Sequence, residues 1–254
     1  MIQVLNDKQI IDLRKSGEVL SSALKETLSY LKPGINTFSL DEVAERSLRR
    51  QGALPSFKNY YVAGSGRFPS SLCVSINSEL VHGIPDTNKI IKDGDLVSLD
   101  LGANYNGMFS DMAITVGIGK ISKKDQKLIE VTESVLRHAI SQLHHGIKTG
   151  DLGNLIEKYV ESHGYVSIHD LVGHGIGTSP HMEPQVPNFG KQGMGQEINN
   201  GMAIAIEPMV SVGDNRIKID RDNWTIRMKN GQKCAHFEHT VLIYKNKVEI
   251  ITKL

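Results

Sequence analysis

Two stretches of this chain, 112 residues apart, carry the same pattern, and that repeat narrows the folds open to it. Leu31-Lys-Pro-Gly34-Ile35-Asn-Thr37 lines up with Leu143-His-His-Gly146-Ile147-Lys-Thr149, and 143 − 31 is 112. The stretches that follow, 40–45 and 152–157, run on to Gly52 and Gly164, again 112 apart. Upstream, Leu24, Leu28 and Leu31 match Leu136, Ile140 and Leu143, which read as apolar stripes at helical spacing. Further on, residues 93–100 (DGDLVSLD) align with 200–207 (NGMAIAIE) at an offset of 107. Each half therefore reads helix, glycine turn, helix, then strands. The expectation is a single domain over 1–254 made of two pseudo-symmetric halves, roughly 14–120 and 126–254. Its class is α+β, with helices covering one side of a curved, largely antiparallel sheet and a site between the halves.

The second alignment has a chemical consequence. Asp100 and Glu207 occupy equivalent ends of equivalent strands, so each half delivers a carboxylate towards a shared centre. By the period of two, Ala203, Ala205 and Glu207 share one face of their strand, and His236, Glu238 and Thr240 share one face of the last. Asp111 opens the apolar run DMAITV. If the stretch Asn104-Tyr105-Asn106-Gly107 is a four-residue hairpin loop, paired residues sum to 211, and 100 + 111 is 211. The two acids would then face each other with Cβ atoms roughly 5 Å apart. Like charges so placed are destabilising unless a cation sits between them. Acids flanked by Leu, Ile, Ala and Phe are costly in a strand unless compensated. With His174, these acids make four carboxylates and one imidazole, the set that a pair of hard divalent cations needs.

Composition removes other classes of function. Net charge is +1 with Lys and Arg spread along the chain, so no basic footprint argues for nucleic acid or a membrane surface. The N-terminal stretch MIQVLNDKQIIDLRK has no apolar h-region, and no run approaches 18 apolar residues. Cys73 and Cys234 lack zinc-site spacing and are too few for a disulfide scaffold, so they read as small apolar fillers in a protein of the reducing cytoplasm. His82 lies in the loop Val81-His-Gly-Ile-Pro85, His174 in Gly173-His-Gly-Ile-Gly177, and His181 follows a Ser-Pro pair. His138, His144, His145 and His163 read as helix-surface residues.

Taken in order and at spacing, HGIPD at 82–86, Asp100 with Asp111, GHGIG followed by His181, IEPMV around Glu207 and FEH around Glu238 resemble the type I methionine aminopeptidases of peptidase family M24. The resemblance runs almost end to end, and it implies the pita-bread fold. It implies that Asp100 chelates one of two divalent ions, His174 and Glu207 the other, and that Asp111 and Glu238 bridge them. Co, Mn, Fe and Zn all suit such donors. A hydroxide generated between the ions would attack the carbonyl after the N-terminal residue, with Glu207 shuttling its proton. His181 would bond to the scissile carbonyl and His82 to the scissile amide nitrogen. Cys73, Phe68 and Trp224 would line a slot for the methionine thioether.

The implied activity is removal of the initiator methionine from nascent chains whose second residue is small, by a cytoplasmic monomer with at most a transient ribosome contact. Two features depart from the family pattern. Pro180 stands where many members have a bulky aromatic before the second site histidine, and the stretch 60–67 is longer than in the shortest members. The alternatives are an Xaa-Pro aminopeptidase or prolidase of the same fold, and a binding protein without catalysis.

Overall fold

The computed structural model describes residues 2–254. Short polar caps start the helices where the apolar stripes begin. The Asn6 side chain accepts from the Gln9 backbone N–H, and the Gln9 side chain accepts in return from the Asn6 N–H, opening α1 (Asp7–Tyr30). Asn36 caps α2 (Thr37–Arg50) and Ser122 caps α3 (Lys123–Gln142) in the same way, each accepting from the backbone N–H three residues on. The fourth helix, α4 (Thr149–Ser162), starts and ends 112 residues after α2. Glycines at matched positions adopt matched left-handed conformations: Gly34 and Gly146 at φ 90° and 86°, Gly52 and Gly164 at 81° and 78°. The repeat is thus written in the backbone as well as in the residues.

The main sheet has nine strands: β1 (Leu54–Pro55), β2 (Leu72–Ile76), β3 (Leu96–Tyr105), β4 (Met108–Gly117), β5 (Val172–Ile176), β6 (Met182–Pro187), β7 (Ala203–Ile206), β8 (Glu238–Tyr244) and β9 (Lys247–Ile250). The order is β1-β3-β4-β8-β7-β5-β6, with β2 also on β3 and β9 also on β8, and every pairing is antiparallel. One face of this sheet meets the helices in two cores. Val19, Leu20 and Leu24 of α1 and Leu40, Ala44 and Leu48 of α2 pack on Leu72, Leu99 and Leu101. Val135, Leu136 and Ala139 of α3 and Leu152, Ile156 and Val160 of α4 pack on Ile204, Ile206 and Val241. These helices bury apolar surface on one side only, so the other face of the sheet is left to carry polar groups. This is the pita-bread architecture.

The β3–β4 hairpin corrects one expectation. Tyr105 pairs with Met108, so paired residues sum to 213 and the loop is Asn106-Gly107 alone. Both loop residues are left-handed, at φ 51° and 81°, as a two-residue turn of the mirror-image type requires. Asp100 therefore lies opposite Ala113, and Asp111 opposite Gly102. The slip is of two positions, so the strand parity survives. The two acids are diagonal rather than directly paired, and still share one face.

Candidate active site

Register across six strands gathers the polar residues on the face away from the helices. Cys73 lies opposite Asp100, Asp100 opposite Ala113, and Ala113 opposite Glu238. Thr240 pairs with Ala205, which pairs with His174. Glu207 continues the alternation of Ala203 and Ala205 one step past the end of β7, where Asn188 Nδ2 donates to its carbonyl at 3.0 Å. Asp111 is held by Thr240, whose hydroxyl accepts from the Asp111 N–H at 2.8 Å and donates to its carbonyl at 2.9 Å.

The donors converge in overlapping sets. Asp100, Asp111 and Glu238 each offer an atom within 4.8 Å of the others', and so do His174, Glu207 and Glu238, and Asp111, His174 and His181. Asp100, Asp111 and Glu238 are buried, at 7%, 3% and 3% exposure. Burial first, and the neighbouring acids with it, push Asp111 and Glu238 well above the usual carboxylate range. Asp100 is pushed up to about 6, again chiefly by burial. Glu207 goes the other way: burial opposes it, but His236 and His174 beside it hold its carboxyl below the ordinary value. Oδ1 of Asp100 and Oε1 of Glu238 are buried with no hydrogen-bond partner among the described residues. Carboxylate oxygens left without donors in so dry a place are what a hard divalent cation satisfies. His174 completes the set. Its Nδ1 lies 3.0 Å from the Gly175 carbonyl, which fixes the Nδ1–H tautomer and leaves the Nε2 lone pair 3.6 Å from Glu207 Oε1. The oxygen-rich donor set with one imidazole fits divalent metal.

Around this cluster lies a cavity of about 330 Å³. His82 and His181 both line it. Their rings are pushed down to about 4, mainly by desolvation, so both are neutral near pH 7. His181 remains exposed at the mouth, so solvent moderates its shift more than that of His82. It sits between the rings of His174 and Tyr60, at centroid distances of 4.5 and 5.1 Å. His82 is left-handed at φ 57°, a conformation a non-glycine residue adopts only when its surroundings impose it.

The apolar end of the cavity is Phe57, Phe68, Cys73 and Trp224, with Phe68 and Trp224 edge to face at 5.2 Å. All three expected pocket residues are there. Phe57 joins them from a loop with no periodic signal to give it away. Desolvation keeps the Cys73 thiol protonated. The stretch 60–67 forms a small hairpin (Tyr61–Val62 with Gly66–Arg67) on the rim, and Tyr60 and Val62 line the cavity. Pro180 is buried and stands outside the lining. One side chain at the centre had no assigned role in the sequence. His236 was legible as sharing a face with Glu238, but nothing indicated that its ring would come within 3.5 Å of Glu207 Oε2.

The sequence profile of metallopeptidase family M24 matches residues 12–245. This chain belongs to that family. Methionine aminopeptidase 1 of Bacillus subtilis is 40% identical over 254 residues, covering all of both chains, and the methionine aminopeptidase of Clostridium perfringens is 42% identical over 252 residues, covering 99% of each. Among solved structures, methionine aminopeptidase from Thermotoga maritima matches this M24 chain with a TM-score of 0.96 at 39% identity, covering all of both chains. A prolidase from Pyrococcus furiosus shares the fold at a TM-score of 0.78 and 22% identity, and this chain covers 65% of that longer protein. Among the described residues no helix is long and apolar enough to cross a membrane.

Proposed function

We infer that this M24 peptidase is a methionine aminopeptidase, releasing the initiator methionine from nascent chains whose second residue is small. The observation that carries the reading is a buried carboxylate cluster with unpartnered oxygens at one end of a cavity whose other end is Phe57, Phe68, Cys73 and Trp224. Full-length similarity to proteins named methionine aminopeptidase supports the same substrate. Asp100, Asp111, His174, Glu207 and Glu238 would hold two divalent ions, and the family resemblance makes Asp111 and Glu238 the carboxylates that would serve both. Such ions, when bound, supply Lewis acidity that brings the pKa of water towards neutrality.

Glu207 would take the nucleophile's proton on a carboxylate oxygen and pass it to the leaving amine nitrogen, for which its lowered pKa keeps it ionised and ready. His181, neutral near pH 7, would donate its N–H to the scissile carbonyl oxygen as negative charge develops there. His82 would meet the scissile amide nitrogen and hold the leaving group in line. The thioether would lie against Trp224 and Phe68, where sulfur–ring contacts stabilise by ~0.3–1.5 kcal/mol each. The whole chain would act as one catalytic unit, a monomer of the reducing cytoplasm, to which two buried free cysteines are suited, with nascent polypeptides as its partners and ribosome contact transient.

The test is turnover of Met-Ala-Ser against an Xaa-Pro peptide after EDTA stripping and addition of Mn²⁺, Co²⁺, Fe²⁺ or Zn²⁺ in turn. Metal-restored cleavage of Met-Ala-Ser is expected, with Glu207→Ala inactive. Preference for the Xaa-Pro peptide would move the assignment to the prolidase branch, and an active Glu207→Ala protein would discard the proton-shuttle role.

A further inference from the structure

His236 is 1% exposed, and neither of its ring nitrogens has a hydrogen-bond partner among the described residues. Leaving a buried donor unmet is costly, so a ring in that state needs a reason. Its nearest acceptors are Glu207 Oε2, 3.5 Å from Nε2, and Glu238 Oε2 at 3.8 Å. The other oxygen of Glu207, Oε1, lies 3.6 Å from His174 Nε2. The two oxygens of Glu207 are therefore divided between two imidazoles.

The backbone beneath the ring is pinned with care. The His236 N–H donates to Thr115 Oγ1 at 2.9 Å, and the same hydroxyl donates to the His236 carbonyl at 2.8 Å. Ser98 Oγ in turn lies 2.7 Å from Thr115 Oγ1, and both hydroxyls are buried. Just beyond, the chain leaves the strand Cys234–His236, paired to Met209–Ser211, and enters β8 at Glu238. A ring mounted on so fixed a base has little freedom to turn elsewhere.

We propose that His236 is a positioning residue for Glu207: its imidazole N–H engages Oε2 and so turns Oε1 towards His174 and the metal that these two residues share. This rests on the reading of Glu207 as metal ligand and proton carrier. Outer-shell partners of this kind commonly set metal affinity or activity by ~10- to 100-fold. A ring that merely fills space would be replaced without loss by an apolar group of similar size, which makes the two roles separable.

The experiment compares His236→Leu, His236→Gln and His236→Asn with the wild-type protein. Calorimetric titration of the stripped proteins with Mn²⁺ reads affinity, and Met-Ala-Ser turnover at saturating Mn²⁺ separates kcat from KM. His236→Leu is expected to weaken one of two Mn²⁺ equivalents by ~10- to 100-fold and to lower kcat comparably, with KM within about threefold of wild type. Gln keeps a donor of similar reach and is expected to restore most of both, whereas the shorter Asn is expected to behave as Leu. Should the Leu protein not fold, the Gln–Asn contrast carries the comparison. Wild-type Mn²⁺ affinity and kcat in His236→Leu, or equal losses in the Gln and Asn proteins, would overturn the proposal. A wild-type protein that binds two Mn²⁺ but leaves Met-Ala-Ser intact would instead sink the methionine reading, and the titration arm would still judge His236.

Discussion

Replacing Asp111 by Asn should make the stripped protein more stable while abolishing its metal-dependent activity. In the absence of cations, Asp100, Asp111 and Glu238 bring carboxylate oxygens within 4.8 Å of one another in a buried site. Two unit charges at that separation repel by ~3 kcal/mol at an effective dielectric of about 20. The chain can escape by protonating an acid, but holding a proton above a group's ordinary pKa costs ~1.4 kcal/mol per pH unit. Either route leaves a penalty at pH 8 that the neutral amide does not carry. Asn keeps the shape, and its Oδ1 can still accept from the Met112 N–H, a bond of 2.9 Å in the wild type.

The gain should therefore be ~1–3 kcal/mol, which for a chain of this length moves the melting temperature by roughly 2–12 °C. Scanning calorimetry of both proteins in EDTA at pH 8 reads it directly. With Mn²⁺ the order should reverse, because ligand binding stabilises the wild type by mass action and the variant has lost a shared donor. A stripped Asp111→Asn protein that melts below stripped wild type would refute the claim that these acids are mutually repelling. Undiminished Mn²⁺-dependent turnover would refute the claim that Asp111 is a shared ligand.

Two further outcomes follow from the same geometry. Asp111 and Glu238 titrate in the folded chain above their unfolded values, so the folded state holds more protons and stability falls as pH rises towards their folded pKa. His82, His181 and His239, pushed down to about 4, act in the opposite sense, but only below the unfolded histidine value of ~6.5. Above the unfolded histidine value of ~6.5, and for as long as these acids still titrate, the stripped protein's melting temperature should therefore decline with pH, and Mn²⁺ should flatten the slope; a rising curve without metal would contradict it. In the pocket, Trp224→Leu should reduce kcat/KM for Met-Ala-Ser by about tenfold, equivalent to ~1.4 kcal/mol of lost contact. Unchanged kcat/KM would assign Trp224 to packing alone.

Periodicity made most of the scaffold legible. The boundaries of α2 and α4 fall at the repeat offset of 112, and the alternation Ala203, Ala205, Glu207 placed that acid on the correct face. Counting Asn106-Gly107 as half of a longer loop puts the hairpin register two residues out, although that dipeptide favours a two-residue turn. The error cost little, since a shift of two leaves each side chain on its own face. The part of the site that stayed hidden comes from loops and from contacts between distant strands. Phe57 and Tyr60 sit in irregular chain and Val62 in a strand of two residues, too short for a period to betray it. The meeting of His236 with Glu207 depends on how the strand Cys234–His236 crosses into β8, which no local pattern encodes.

The position of β8 has a consequence for how the molecule is made. It is the seam of the main sheet, with β4 on one flank and β7 on the other, yet it lies late in the chain. During synthesis the two groups of earlier strands emerge first and lack the strand whose hydrogen bonds join them into one sheet. Until residues 238–244 leave the ribosome, Glu238 is missing and the other acids lie on two strand groups not yet joined in the sheet. An unfinished copy would thus be inert, and cation capture would report that assembly has closed.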